Sequence, residues 1–223
     1  MSLILTIDTA VIGTSICLAD GDKILASSEN SEQREGASWL QPAIQQLFKE
    51  QAISLSSLSA VAISAGPGSY TGLRVGMASA KGLCYALKIP LIAINTLQMM
   101  AAAALPAHGL LCPMIDARRM EVFTALYDAS LTEVLPSTPL VLDQTSFIDW
   151  LDKDPVLFFG NGSQKFQTLM NHPNARFKEV SATAQSMVPL AYAAFQKKDF
   201  ADLAYCEPFY GKAFFSPPSK PFV

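Results

Sequence analysis

Four groups of residues have side chains and spacing suited to chemistry. Asp8 closes an apolar run and is followed by Thr9, Gly13, Thr14 and Ser15. A carboxylate at a strand end, followed by a glycine turn, can help hold hydrated Mg²⁺ while turn amides face a phosphate. A turn aspartate bonded to its own backbone has the same spacing. The second group is Ala65–Arg74, AGPGSYTGLR, between the apolar run Val61–Ser64 and a small-residue helix over Leu73–Leu87. Gly66 and Gly68 bracket Pro67, which turns the chain sharply where a strand ends. Ser69 and Thr71 can cap a helix beginning near Gly72. Arg74 then stands in the first helical turn, where a cation opposes the helix dipole unless an anion, an acidic partner or an outward path offsets it. An anion-binding or partner-binding edge and an ordinary strand–turn–helix connection both fit. Third, Ser69 and Thr71 are hydroxyls on a tight loop, as a nucleophile is. The loop is not G-x-S-x-G, however, and no histidine is placed nearby as a base. Fourth, Gly160-Asn161-Gly162 either turns toward a nucleotide in an interlobe cleft or ends a strand.

Other chemistries lack their residues. No G-x-x-x-x-G-K-[ST] loop occurs. The two histidines, His108 and His172, are far apart and neither has a second ligand at metal spacing, so no metal site is expected.

These residues need a scaffold. Strands are expected at Leu3–Thr9, Gly13–Ala19 and Lys23–Ser28, the last two joined by a turn at Asp20-Gly21-Asp22. Trp39, Leu40, Ala43, Ile44, Leu47 and Phe48 share one face of a helix over Ser38–Gln51, with Pro42 in its first turn. Val61–Ser64 and Leu91–Ile94 read as strands, and Thr96–Ala104 as a helix. The second half repeats this in shorter form. Strands are expected at Leu110–Asp116, Glu121–Tyr127, Pro139–Leu142 and Val156–Phe159. Helices are expected at Thr145–Leu151, from Gly162 to about Met170, and at Ala184–Phe195. Asp8 and Asp116 end corresponding strands. The repeated order predicts a two-lobed α/β protein with mixed sheets: residues 1–105, a smaller lobe over 106–203, and an extended proline- and aromatic-rich tail over 204–223. The tail aromatics Phe209, Tyr210, Phe214, Phe215 and Phe222 either pack on their own domain or dock a partner.

Composition narrows the partners. Only 16% of the 223 residues are charged, against ~25% in ordinary soluble domains. A deeply buried core explains this, and so does apolar surface that meets another protein. A net charge of −3 argues against tight nucleic-acid binding by this chain alone. Cysteines 17, 84, 112 and 206 form no C-x-x-C pair and read as free thiols. The start MSLILTIDTA lacks the basic region of a signal peptide, and no run nears the ~20 apolar residues of a membrane span. A cytoplasmic protein is expected. Gly72, Gly76 and Ala80, four apart, allow close helix approach, by the chain's own sheet or by a second chain. Repeated glycine inside a helix costs ~1 kcal/mol per residue against alanine and so needs a geometric reason.

The run Gly66–Leu83, GPGSYTGLRVGMASAKGL, continued by Pro90–Leu97, resembles the TsaB (YeaZ) family of bacterial tRNA threonylcarbamoyladenosine biosynthesis proteins. Ile4–Ala10, Ile115–Arg118 and Glu121-Val-Phe123 are similar to the same family. The match covers about the first 130 residues well and the remainder only in layout. The glycine loop is shared in part with TsaD, the catalytic relative, whose helix carries a metal-binding histidine pair. Arg34–Pro42 here holds no histidine, not even the one that many TsaB sequences keep near Gly36.

The resemblance implies an actin-like, duplicated RNase H-like (ASKHA) fold and a non-catalytic protein. It implies pairing with a TsaD-like threonylcarbamoyltransferase, a TsaE-like ATPase in the same system, and tRNA contact through the complex. It implies no tightly bound cofactor, at most weak nucleotide and Mg²⁺ at a partner interface, and no catalytic or metal residue. A homodimer is expected for the isolated chain. The family's contact helices map onto Ser38–Gln51 and Gly72–Leu87, giving Trp39, Phe48, Gly72, Leu73, Arg74, Gly76, Met77 and Ala80 as interface candidates. On this view a bulky residue at Gly76 abolishes pairing without unfolding the monomer. Asp8, Thr9 and Gly13 remain the candidate phosphate loop. The alternative is a stand-alone actin-fold ATPase or kinase using Asp8 and Mg²⁺; a peptidase would rest on Ser69 and Thr71 alone.

Overall fold

The computed structural model describes residues 2–11, 13–32 and 35–211. Strands β1 (Leu3–Asp8), β2 (Thr14–Asp20), β3 (Lys23–Asn30), β4 (Ala60–Ser64) and β5 (Leu91–Ile94) form one sheet in the order β3-β2-β1-β4-β5. Strands β6 (Leu110–Asp116), β7 (Glu121–Tyr127), β8 (Glu133–Val141), β9 (Val156–Phe159) and β10 (Ala175–Phe177) form a second, ordered β10-β9-β6-β7-β8. Read from its first strand outward, each sheet has two antiparallel neighbours on one side and two parallel ones on the other. The topology is therefore duplicated, with Asp8 and Asp116 at equivalent strand ends.

The layers follow from side-chain alternation. Leu3, Leu5 and Ile7 face the helices α1 (Gly36–Glu50) and α2 (Tyr70–Leu87), packing with Leu40, Ile44, Met77 and Ala80. Ile4, Ala60, Ala62 and Ile92 face the opposite way, into a core shared by both lobes. The helices α3 (Thr96–Ala103) and α6 (Val188–Lys197) lie in that shared core, α6 against β1 and β5 and α3 against β6 and β7. Each lobe thus lends a helix to the other's sheet. The outer face of the second sheet packs on α4 (Ile148–Leu151) and α5 (Ser163–Gln167), where Phe147, Phe158 and Phe166 meet edge to face. Hydroxyls tie the lobes together: Thr6 Oγ1 donates to Ala184 O at 2.7 Å, and Ala184 N–H donates to Ser15 Oγ at 2.8 Å.

Several elements differ from expectation. The first helix begins at Gly36, so Pro42 lies inside it rather than in its first turn. Strand β8 begins at Glu133, six residues early; Pro136 and Pro139 are tolerated because β8 is an edge strand. Strand β10 was not anticipated, since three residues carry no period. The helix expected from Thr145 starts at Ile148, after a turn in which Asp143 Oδ1 accepts from Thr145 and Ser146. Helix α5 stops at Gln167. The final helix opens with a 3-10 turn, Ala184–Met187, and runs two residues past Phe195. No helix among the described residues is long and apolar enough to cross a membrane. Phe214, Phe215 and Phe222 of the tail lie outside the described residues.

Candidate functional site

Strand β1 delivers Asp8 into the interior. The residue is 2% exposed. Parallel pairing sets Ile7 opposite Ile63, which brings Ser64 beside Asp8. Ser64 Oγ donates to Asp8 Oδ1 at 2.6 Å, and Ala10 N–H donates to the same oxygen at 2.9 Å. Burial nonetheless pushes the carboxyl above its ordinary range, because desolvation outweighs these bonds.

The three phosphate-loop candidates do not share one surface. A cavity of about 390 Å³ opens between the lobes, with Thr14, Ser15, Met100, Gly160 and Asn161 on its wall. Asp8, Thr9 and Gly13 are absent from that wall. Thr9 and Gly13 instead border a smaller space of about 90 Å³ beside Gly36, Ser69 and Thr71, where α1 and α2 begin. Among the described residues, no three His, Cys, Asp or Glu side chains converge as metal ligands. A buried carboxyl without companion donors does not fit a hydrated divalent cation. The Gly160–Asn161 turn does reach the cleft.

The glycine series has a local purpose. A methyl group at Gly68 would overlap Ala10 O, one at Gly72 would overlap Thr9 O, and one at Gly76 would overlap Thr9 Oγ1 and crowd Ile63. The loop and α2 therefore clasp the turn that follows Asp8, and Ser69 N–H donates to Ala10 O at 2.8 Å. Ser69 Oγ accepts from Gly72 N–H at 3.2 Å, so this hydroxyl caps α2. His172 lies elsewhere: it accepts from Asn174 N–H in the second lobe and stands 3.4 Å from Asp152.

The interface candidates divide by orientation. Phe48, Leu73, Gly76, Met77 and Ala80 are buried in the chain's own core and offer no surface. The glycines of the small-residue face, Gly72 and Gly76, meet the turn after β1 at Thr9, and Gly76 also meets Ile63 of β4. Trp39 and Gly72 are half-buried, Trp39 bordering a groove with Ser27, Pro42 and Gln46. Arg74 is exposed, and on α2 Tyr70 and Tyr85 also face outward.

Arg74 has found a partner that the sequence reading missed. Its Nε donates to Tyr210 Oη at 3.0 Å, and its Cζ lies 4.2 Å from the Tyr70 ring centroid. Residues 201–211 run back over the first lobe as a strap. Ala201 bridges to Leu91, Lys81 Nζ donates to Ala204 O and Cys206 O, and Phe209 N–H donates to Ala65 O at 2.7 Å. Gly66, at φ +106°, lies against the Phe209 carbonyl, an approach that leaves no room for a side chain. Two signals pointed here: a first-turn cation with no anion, and aromatics clustered in the tail.

The equivalent site of the second lobe is open. Lys165 Nζ meets Asp116 Oδ1 at 2.6 Å and holds this exposed carboxyl below its ordinary range, with Arg118 N–H and the Arg118 charge assisting. Asp116 N–H donates to Asn161 Oδ1 at 2.9 Å, linking the hairpin to the cleft. The four cysteines are free thiols; burial pushes Cys17 and Cys84 up to about 11 and Cys112 to about 12.

Known proteins resemble this chain throughout. The family model described as TsaD, tRNA N6-adenosine threonylcarbamoyltransferase, matches residues 23–207. The tRNA threonylcarbamoyladenosine biosynthesis protein TsaB of Bacillus subtilis is 35% identical over 166 residues, covering 71% of this chain and 70% of the relative. The Escherichia coli protein of the same name is 28% identical over 222 residues, 93% of each chain. YeaZ from Pseudomonas aeruginosa superposes with a TM-score of 0.80 at 25% identity, covering 94% of this chain and all of that one. With the duplicated sheets, these likenesses make the fold two-lobed, actin-like and of the ASKHA type.

Proposed function

The chain belongs to the TsaB (YeaZ) family, and from that premise we propose that it takes part in tRNA threonylcarbamoyladenosine biosynthesis as a non-catalytic subunit. In this role it holds a TsaD-like threonylcarbamoyltransferase in its working arrangement, with a TsaE-like ATPase in the same system. One observation carries the reading: the carboxyl at the end of β1 is buried and bonded within the chain. A nucleotide-handling enzyme of this fold class would need the strand-end carboxylate open to metal and phosphate. Here Asp8 is buried and bonded to Ser64 and Ala10, and α2 packs on the Thr9 that follows it. The stand-alone ATPase alternative requires the opposite arrangement.

On this reading the protein contributes shape. Its partner surface is the outward side of α1 and α2, where Trp39 borders a groove and Tyr85 is exposed. Without the transferase, the same face pairs with a second copy, which makes the isolated chain a homodimer in the cytoplasm. Nucleotide or Mg²⁺ binds weakly, at the shared interface.

Co-purification with a TsaD-like transferase tests this. Tyr85 is 80% exposed, so Tyr85→Glu leaves the fold intact while placing a charge on the proposed face. Loss of pairing with an unchanged melting temperature is the expected result. Normal pairing removes α2 from the interface.

A further inference from the structure

Arg118 and Arg119 stand side by side at the tip of the β6–β7 hairpin, exposed and left-handed at φ +70° and +50°. These are two of the chain's five arginines. Left-handed backbone is strained for residues with a Cβ, and glycine or asparagine is its usual occupant. The first lobe supplies an internal control. Between its β1 and β2 the sequence carries no charge over residues 9–13, and Gly13 takes a positive φ. The topology does not call for arginine at such a tip.

Lys165 braces the turn from behind. Its Nζ donates to Asp116 Oδ1 at 2.6 Å, Arg119 O at 2.8 Å and Glu121 O at 3.0 Å, which uses all three ammonium protons. Asp116 Oδ1 also accepts from Arg118 N–H. The adjoining carboxylate is thus committed to Lys165 and the turn backbone. Among the described residues, the two guanidiniums form neither ion pair nor hydrogen bond. A braced turn presenting two unpaired planar forks suits oxygens of phosphate or carboxylate.

We propose that the Arg118–Arg119 tip grips phosphates of the RNA backbone in the assembled complex. This rests on the tRNA-modification reading above. RNA is favoured over an acidic protein because the substrate of that reaction presents phosphates at high density. A chain of net charge −3 can meet them only through a local cluster such as this one.

The test is a salt titration of tRNA binding by the complex reconstituted with a TsaD-like transferase, read by fluorescence anisotropy. Arg118→Gln/Arg119→Gln removes both charges; Arg118→Asn/Arg119→Gly does so with residues that suit the turn, guarding against a folding defect. Pairing with the transferase should be unchanged. Affinity for tRNA should fall about 5- to 50-fold at low salt, and the slope of log K against log salt should flatten by about one to two units. Arg118→Lys/Arg119→Lys should retain most of the slope. Unchanged affinity and slope in both charge-removing variants overturns the proposal. Loss of transferase pairing instead reassigns the tip to a protein contact and overturns it equally. Should the wild-type chain itself fail to pair, the scaffold reading fails. The same titration on the chain alone then decides: charge-dependent tRNA binding supports the tip, and its absence ends the assignment.

Discussion

Gly76 lies directly against the Thr9 side chain, so that a methyl group added at position 76 would overlap Thr9 Oγ1. Thr9 Oγ1 is itself buried and has no hydrogen-bond partner among the described residues. This pair joins α2 to the turn after Asp8 and explains why the middle of α2 carries glycine despite its low helix propensity.

Gly76→Ala should therefore destabilise the chain itself, by about 1–3 kcal/mol, as overpacking does in well-filled cores. This replaces the expectation that a bulky residue there separates pairing from folding. Thr9→Ala removes both the hydroxyl and the methyl that Gly76 faces, and should recover part of that loss. Urea denaturation of the two single variants and the double variant gives the coupling energy directly. Additive effects would place the strain elsewhere.

Asp8 sets a pH dependence. Its carboxyl titrates above the ordinary range because it is buried, so the folded state holds the proton more tightly than the unfolded chain. Its contribution is complete below the usual aspartate value near 3.8 and is lost as pH rises through its own higher value. Asp8→Asn keeps an acceptor for Ser64 and Ala10 and has no proton to lose. Its melting temperature should gain on wild type as pH rises from about 4. A difference constant with pH would mean that Asp8 is not raised.

Much of this was legible in the sequence, and the boundary is physical. The near-continuous apolar run in Leu3–Asp8 and the four-step pattern of α1 and α2 report burial, and burial decides those elements. The Asp8 and Asp116 strand ends could be matched because both close apolar runs. Direction within a helix face was harder. Leu73, Met77 and Ala80 fit a partner surface and a core equally well by type, and only the Thr9–Ala10 backbone opposite shows which. The strap was readable only as two unjoined signals for a related reason: Arg74 and Tyr210 are 136 residues apart, and no local pattern links them. The edge strand β8 was half hidden by its prolines.

Lys165 braces the second-lobe hairpin, and Lys165→Met should loosen it. Amide exchange over residues 117–121 should quicken at neutral pH, while the β6 core, with Cys112 and Met114 buried, stays protected. The Asp116 share of the brace runs opposite to Asp8: its lowered carboxyl contributes above the usual aspartate range and is lost as pH falls through its depressed value. The gap between wild type and variant should therefore narrow in acid. A gap that widens in acid would contradict the ion pair's role.

The strap hangs on Arg74. Arg74→Ala removes the bond to Tyr210 and the contact with Tyr70. Limited proteolysis within residues 204–211 should accelerate, with the sheets intact by circular dichroism. Unchanged cleavage would mean that the bonds from Lys81 Nζ to the strap carbonyls and from Phe209 N–H to Ala65 O suffice alone.

The most direct measurement is the rate of tRNA threonylcarbamoylation by a TsaD-like transferase and a TsaE-like ATPase, with wild-type chain, with Asp8→Asn, or with neither. The account predicts little or no product without the chain and a rate within about threefold of wild type for Asp8→Asn, since that carboxyl is buried and touches no reactant. A fall of a hundredfold or more in kcat for Asp8→Asn, with pairing and melting temperature preserved, would contradict it and make this chain a catalyst.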